Sequence, residues 1–260
     1  MIKHDDVRVN SFWSRIDISG LITNLIVYII CGVFAIVPSR PLYVPPNDSN
    51  SAFPYPGKET IPNTMLIIGI GIIFVIFMFA AILIHKYNPG STRQFLVFPT
   101  IWCFLLCIGV TNMCVCIFKN YVGRPRPSFF SRCGITATND PKTCPSLSSK
   151  TYYEEFRSWP SGHSSTAMAG FLFFSLFTSK LFKSKEFWVT TLSSLYIFVA
   201  FFVGSSRIID YRHHTDDVIA GFFTGALFTL FIFAKSSKKL FNKPKNEEWK
   251  HQDVSSPIEA

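Results

Sequence analysis

Residues 65–84, MLIIGIGIIFVIFMFAAILI, form a run of twenty positions without a single charged side chain. A bilayer core about 30 Å thick is crossed by roughly 20 apolar residues in helical form. Working outward from this run, five further apolar stretches lie at about 18 to 37, 94 to 118, 164 to 182, 187 to 204 and 218 to 234. Nearly half of the 260 residues are apolar, and phenylalanine alone supplies 28 of them. The competing reading, a soluble bundle of six such helices, fails on residues 65–84, because a water-facing helix keeps a polar face. The expectation is an all-α integral membrane protein with six transmembrane helices. No internal repeat is visible, so residues 18–234 are read as one membrane domain. A short tail at 1–17 precedes it, and a basic tail at 235–260, expected to be disordered, follows.

The first stretch resembles a signal peptide in having Lys3, Arg8 and Arg15 ahead of it. Its apolar length exceeds that of an ordinary signal core, and no small-residue cleavage pattern follows before Pro38, so it is read as a retained span. Lys86 and Arg93, the lysines between Lys180 and Glu186, and Lys235, Lys238, Lys239, Lys243, Lys245 and Lys250 assign one set of connections and the C-terminal tail to the cytosol. The segment 38–64 carries only Arg40 and Lys58 as cations, together with the sequon Asn47-Asp48-Ser49. It is expected on the lumenal or outer side, with Asn47 a possible glycosylation acceptor. Both termini are then cytosolic.

The long loop 119–163 breaks the charge rule. Lys119, Arg124, Arg126, Arg132, Lys142, Lys150 and Arg157 all fall on its lumenal side. Long loops translocate largely regardless of charge, but such an excess also suits an anionic ligand. The net charge of +9 does not indicate nucleic-acid binding, since its cations divide between two sides of a membrane. Of seven cysteines, five sit in apolar stretches and read as packing residues. Cys133 and Cys144 fall in the lumenal loop, where the redox environment permits a disulfide between them.

Three separated clusters mark the ends of the apolar stretches. Lys119 is followed by Arg126-Pro127; Pro160-Ser161-Gly162-His163 precedes the fourth stretch; Ser206-Arg207 is followed by His213 and Asp217. With a cytosolic N-terminus and six crossings, all three reach the same face. Lysine offers phosphate a point charge and arginine a planar fork. The Ser161-Gly162 backbone opens a helix whose unpaired N–H groups attract anions, and Ser161 is also a natural N-cap. His213 and Asp217 stand four residues apart, so the carboxylate can fix the imidazole tautomer and leave the other nitrogen basic. His214 with Asp216 or Asp217 offers similar geometry, and spacing does not choose between the pairs. A metal site from His163, His213, His214 and the aspartates is opposed by the surrounding cations and lacks a ligand motif.

The pattern K-x6-R-P, P-S-G-H and S-R-x5-H-x3-D, spread over roughly 112–225, resembles the type 2 phosphatidic acid phosphatases, or lipid phosphate phosphatases. Residues 156–165 and 210–214 look most like the fungal diacylglycerol pyrophosphate phosphatase branch. The resemblance implies that His213 attacks phosphorus to give a phosphohistidine and that Asp217 orients it. His163 then serves as acid and base, while Lys119, Arg126, Ser161, Gly162 and Arg207 hold the phosphoryl oxygens. It implies no metal or other cofactor and a membrane phospholipid as substrate: phosphatidic acid, lysophosphatidic acid or diacylglycerol pyrophosphate. Polyisoprenyl diphosphates, sphingoid phosphates and a non-catalytic lipid-binding role are the alternatives. No feature of the chain selects a particular organelle or an oligomeric state.

Overall fold

A computed structural model describes residues 17–135, 144–183 and 186–241. The tails expected at 1–17 and 235–260 therefore fall almost wholly (1–16) and in large part (242–260) outside the described residues. Among those described the regular structure is helical, with no strand beyond one isolated bridge between Thr92 and Phe182. Six long helices cover the six apolar stretches: α1 (Ile18–Ile36), α2 (Asn63–Tyr87), α3 (Val97–Val122), α6 (Gly162–Leu181), α7 (Phe187–Ile209) and α8 (Thr215–Phe241). Two short helices, α4 (Phe129–Cys133) and α5 (Ser149–Glu154), lie in the long loop. Helix α8 runs past residue 234 to Phe241, so the expected domain limit falls inside a helix.

Five of the six long helices are long and apolar enough to cross a membrane; α6 is not among them. Packing explains the difference. On α2 the buried residues are Leu66, Ile70, Phe74, Met78 and Ala81, a single stripe at helical spacing. Its remaining faces expose Ile67, Ile68, Val75, Ile76 and Phe79, each about 60% exposed, an exterior suited to lipid rather than water. Helix α6 instead touches α2, α3, α7 and α8 and buries 13 of its 20 residues. Neighbours in apolar surroundings pack best through small and weakly polar residues, which is what Ser164, Ser165, Thr166, Ala167, Ala169 and Gly170 supply.

Close approach of α8 to α6 depends on two glycines. A Cβ on Gly221 would meet the Ser161 carbonyl at 2.6 Å, and one on Gly225 would meet the Ser165 carbonyl at 2.4 Å. These contacts hold the start of α8 against the start of α6, and Ser161 N–H donates to the Asp217 carbonyl at 2.9 Å. At the end of α3, Gly123 adopts φ 60°, a left-handed helix stop, and leaves no room for a side chain beside the Arg40 carbonyl. Arg40 N–H donates to Asn120 O and Leu42 N–H to Gly123 O, so the first loop lies against the α3 terminus. Over this end of the bundle, Val44, Phe129, Phe130, Cys133, Ile135 and Phe156 form a second apolar core. Cys133 and Cys144 are joined there (S–S 2.05 Å, Cα–Cα 4.7 Å). Asn47 is exposed in a turn of the first loop.

Candidate active site

Under that cap, at the ends of the helices, lies a cavity of about 570 Å³. Six of the eight residues singled out from the sequence line it: Lys119, Arg126, Gly162, His163, Arg207 and His213. The other two, Ser161 and Asp217, stand fully buried behind the wall. Three segments separated by tens of residues thus meet in one place. Each is delivered by a helix end: Lys119 by the last turn of α3, Gly162 and His163 by the first turn of α6, Arg207 by the last turn of α7.

His213 occupies the turn between α7 and α8 and is 4% exposed. Its Nδ1 lies 2.7 Å from the backbone carbonyl of Ser158. A carbonyl only accepts, so Nδ1 carries the proton and Nε2 keeps its lone pair. Burial pushes the imidazole well below its ordinary 6.5, against the pull of Asp217 and reinforced by Lys119 and Arg126. The ring is therefore neutral around pH 7, in the tautomer a nucleophile needs.

The direct acceptor of His213 is thus Ser158 O, and Asp217 Oδ2 lies 3.8 Å from the same nitrogen. Asp217 acts one layer back. Its Oδ2 accepts from Ser158 Oγ at 2.6 Å, from His214 N–H at 2.8 Å and from His214 Nδ1 at 3.0 Å, while Oδ1 meets Arg124 Nη1 at 2.7 Å. Ser158 links the two groups, holding the imidazole with its carbonyl and the carboxylate with its hydroxyl. His214 Nε2 contacts the Asn50 carbonyl at 3.1 Å and is absent from the cavity wall, which separates the two adjacent histidines left open by spacing.

The cations are held from behind. Lys119 Nζ donates to the Arg157 carbonyl. Arg126 donates through Nε to Glu154 O at 3.1 Å and through Nη1 to Arg212 O at 3.0 Å. Burial and Arg212 bring Arg126 down to about 10, which leaves it charged at neutral pH. Arg207 is 1% exposed and pairs with Asp210, with Glu59 Oε2 at 3.0 Å and with Ser206 Oγ at 3.2 Å. His163 Nε2 lies 3.0 Å from the Ile61 carbonyl and 3.4 Å from Arg207 Nη1. Ser161 caps α6, its hydroxyl accepting from Ser164 N–H at 3.4 Å and Ser164 Oγ at 2.9 Å. Its role in the structure is to shape the helix start that carries Gly162 and His163.

Sequence reasoning gave no site role to Ser158, Arg212 and Glu59, and counted Arg157 only within the cationic excess of the long loop. Ser158 works mainly through its carbonyl, which any residue has, and Glu59 comes from the first loop, far from every motif. Among the described residues, no group of three or more His, Cys, Asp and Glu side chains is placed to hold a metal ion.

Comparison with known proteins gives this arrangement a family. The sequence profile of the PAP2 superfamily matches residues 100–241, which contain every motif residue of the cavity. The chain is 30% identical over 245 residues to "Probable diacylglycerol pyrophosphate phosphatase 1" of Schizosaccharomyces pombe, covering 90% of this chain and 84% of that one. It is 28% identical over 208 residues to "Diacylglycerol pyrophosphate phosphatase 1" of Saccharomyces cerevisiae, covering 75% and 70%. "Lipid phosphate phosphatase 2" of Arabidopsis thaliana is 29% identical over 180 residues, covering 66% and 61%. No solved structure matches. The chain belongs to the PAP2 superfamily, and with its membrane-capable helices it is a multi-pass membrane protein.

Proposed function

We propose that the chain hydrolyses the terminal phosphate of membrane lipids, with phosphatidic acid, lysophosphatidic acid and diacylglycerol pyrophosphate as substrates, through a phosphohistidine on His213. The observation that carries this reading is the unprotonated His213 Nε2 at the wall of a cavity shared with Lys119, Arg126, Arg207 and His163. Phosphoryl transfer asks mainly for positioning and for neutralisation of the equatorial oxygens. Three fixed cations and the amides opening α6 supply both, so no divalent ion enters the scheme. His213 Nε2 attacks phosphorus, and His163, entering the step as the imidazolium, gives a proton to the departing oxygen. The free His163 nitrogen then takes a proton from water, which attacks the phosphohistidine and releases phosphate. Asp217 acts on His213 through Ser158 and offsets the positive charge that the ring gains on attack.

A lipid substrate is favoured by the shape of the cavity. It reaches from the cations past Asn112 and Cys116 to Tyr28, Cys31 and Ile67, side chains of α1, α2 and α3. A headgroup held at the helix ends leaves its tails at the depth of those helices. Six crossings, with α6 as an inner span shielded by its neighbours, put both termini in the cytosol and the cavity on the lumenal or outer face. The basic connections at the opposite end, the exposed Asn47 and the Cys133–Cys144 bond suit that orientation.

The test is phosphate release from micellar phosphatidic acid and diacylglycerol pyrophosphate by purified protein in excess chelator. Full activity of the wild type and none of His213→Ala is the result expected; loss of wild-type activity in chelator would contradict the metal-free scheme.

A further inference from the structure

One carboxylate on the cavity wall has no part in this chemistry. Glu59, from the first loop, turns inward and bridges two arginines, with Oε2 3.0 Å from Arg207 Nη1 and Oε1 3.1 Å from Arg212 Nε. Its neighbours fasten it there. Thr60 N–H and hydroxyl donate to the two oxygens of Asp210 at 2.9 and 2.6 Å, and the Ile61 carbonyl lies 3.0 Å from His163 Nε2. Residues 59–61 thereby hold both the cation meant for phosphate and the imidazole meant for proton transfer. All three nitrogens of the Arg207 guanidinium already have acceptors: Ser206 Oγ on Nε, Glu59 on Nη1 and Asp210 on Nη2. Nη1 and Nη2 each keep a second N–H toward an incoming anion, but a phosphoryl group takes the Nη1–H held by Glu59 only by displacing that carboxylate, and it takes His163 Nε2 only by displacing the Ile61 carbonyl.

We propose that Glu59 is an internal competitor for the phosphate site, and that residues 58–62 form a strap which a terminal phosphate displaces and a phosphodiester does not. The selectivity is a matter of charge. A phosphate monoester or terminal diphosphate carries close to two negative charges at pH 7, whereas a diester carries one, the same as the carboxylate it must replace. Exchange of one charge for two on a buried arginine is favourable; exchange of one for one is not. The bulk lipids of a membrane are diesters, so a site facing the bilayer needs such a filter.

This inference rests on reading the cavity as a phosphoryl-transfer site, and the two fail differently. A wild type that releases no phosphate from any lipid phosphate would remove that reading. The strap is tested on active full-length protein in mixed micelles, with short-chain phosphatidic acid as substrate and inorganic phosphate and dibutyl phosphate as competing anions. Glu59→Gln should lower KM and the inhibition constant of inorganic phosphate by about fivefold, the scale of a partly exposed ion pair. The constant for dibutyl phosphate should fall further, so that discrimination between the two anions shrinks. Thr60→Val, which removes the hydroxyl bond from the strap to Asp210 and keeps the Glu59 carboxylate, should shift KM in the same direction by less and serves if Glu59→Gln folds poorly. A KM that rises or stays constant in both variants would show that Glu59 merely supports Arg207 and would overturn the proposal. Equal falls for both anions would overturn the selectivity.

Discussion

The two ends of the bundle treat charge in opposite ways. Around the cavity, Arg207, Arg212, His213, Asp217 and Glu155 are all under 9% exposed, and each has a named partner. At the far end, Lys86, Lys180, Lys183, Lys235, Lys238 and Lys239 are exposed, and the pair Lys239–Asp17 has side chains 56% and 17% exposed. Burying an ion costs several kcal/mol before its partner offsets the loss, so charges are kept inside a membrane protein where chemistry uses them. Exposed lysines at the other end suit the proposed role of anchoring the helices and setting their direction. In the proposed scheme the same residue types carry catalysis at one end and topology at the other.

That contrast is sharpest at His213. Its replacement by alanine should reduce phosphate release by at least about 10³-fold, as loss of a nucleophile does, with His163→Ala next; steady-state rates on phosphatidic acid check both. Arg207→Ala should cost stability as well as rate, because it leaves Asp210 without its cation and Glu59 with Arg212 alone. Breaking a buried pair from one side costs about 3–5 kcal/mol, readable as a lowered Tm in detergent. The pH dependence of stability gives a finer test. His213 is held below 6.5 in the folded chain. As pH falls through about 6.5, the unfolded chain takes up a proton that the folded chain refuses. Stability is thus full above 6.5 and is lost at about 1.4 kcal/mol per pH unit below it. A His213→Asn variant should lack this part of the acid loss, and thermal melts between pH 7.5 and 5.5 compare the two. At the far end, Lys239→Ala should change Tm by less than about 1 kcal/mol equivalent and leave the rate alone. A large effect there would blur the distinction between the ends.

Sequence reading reached the helices because lipid-facing surfaces need long apolar runs, and α2 is the plainest instance. It counted α6 with the others, yet that helix alone among the six falls short in apolar bulk, for a physical reason: an inner helix surrounded by other helices trades that bulk for Ser, Thr, Ala and Gly. The motif residues were legible because phosphate chemistry demands particular side chains at particular helix ends. What lay behind them was not. The Ser158 carbonyl that orients His213 is a backbone atom, and Glu59 reaches the site through a loop whose path depends on Gly123 giving way to Arg40. The expected His213–Asp217 contact is a three-body arrangement through Ser158, which spacing of i and i+4 does not reveal.

The most direct test of the site is to follow the phosphorus. Diacylglycerol pyrophosphate labelled in its terminal phosphate, mixed with purified protein and quenched in alkali within one turnover, should leave label on the chain. That linkage should be stable to base and labile to acid, as a phosphohistidine is, and should be absent from His213→Ala. Label that persists on the His213→Ala chain, or turnover by that variant at the wild-type rate, would contradict His213 as the nucleophile.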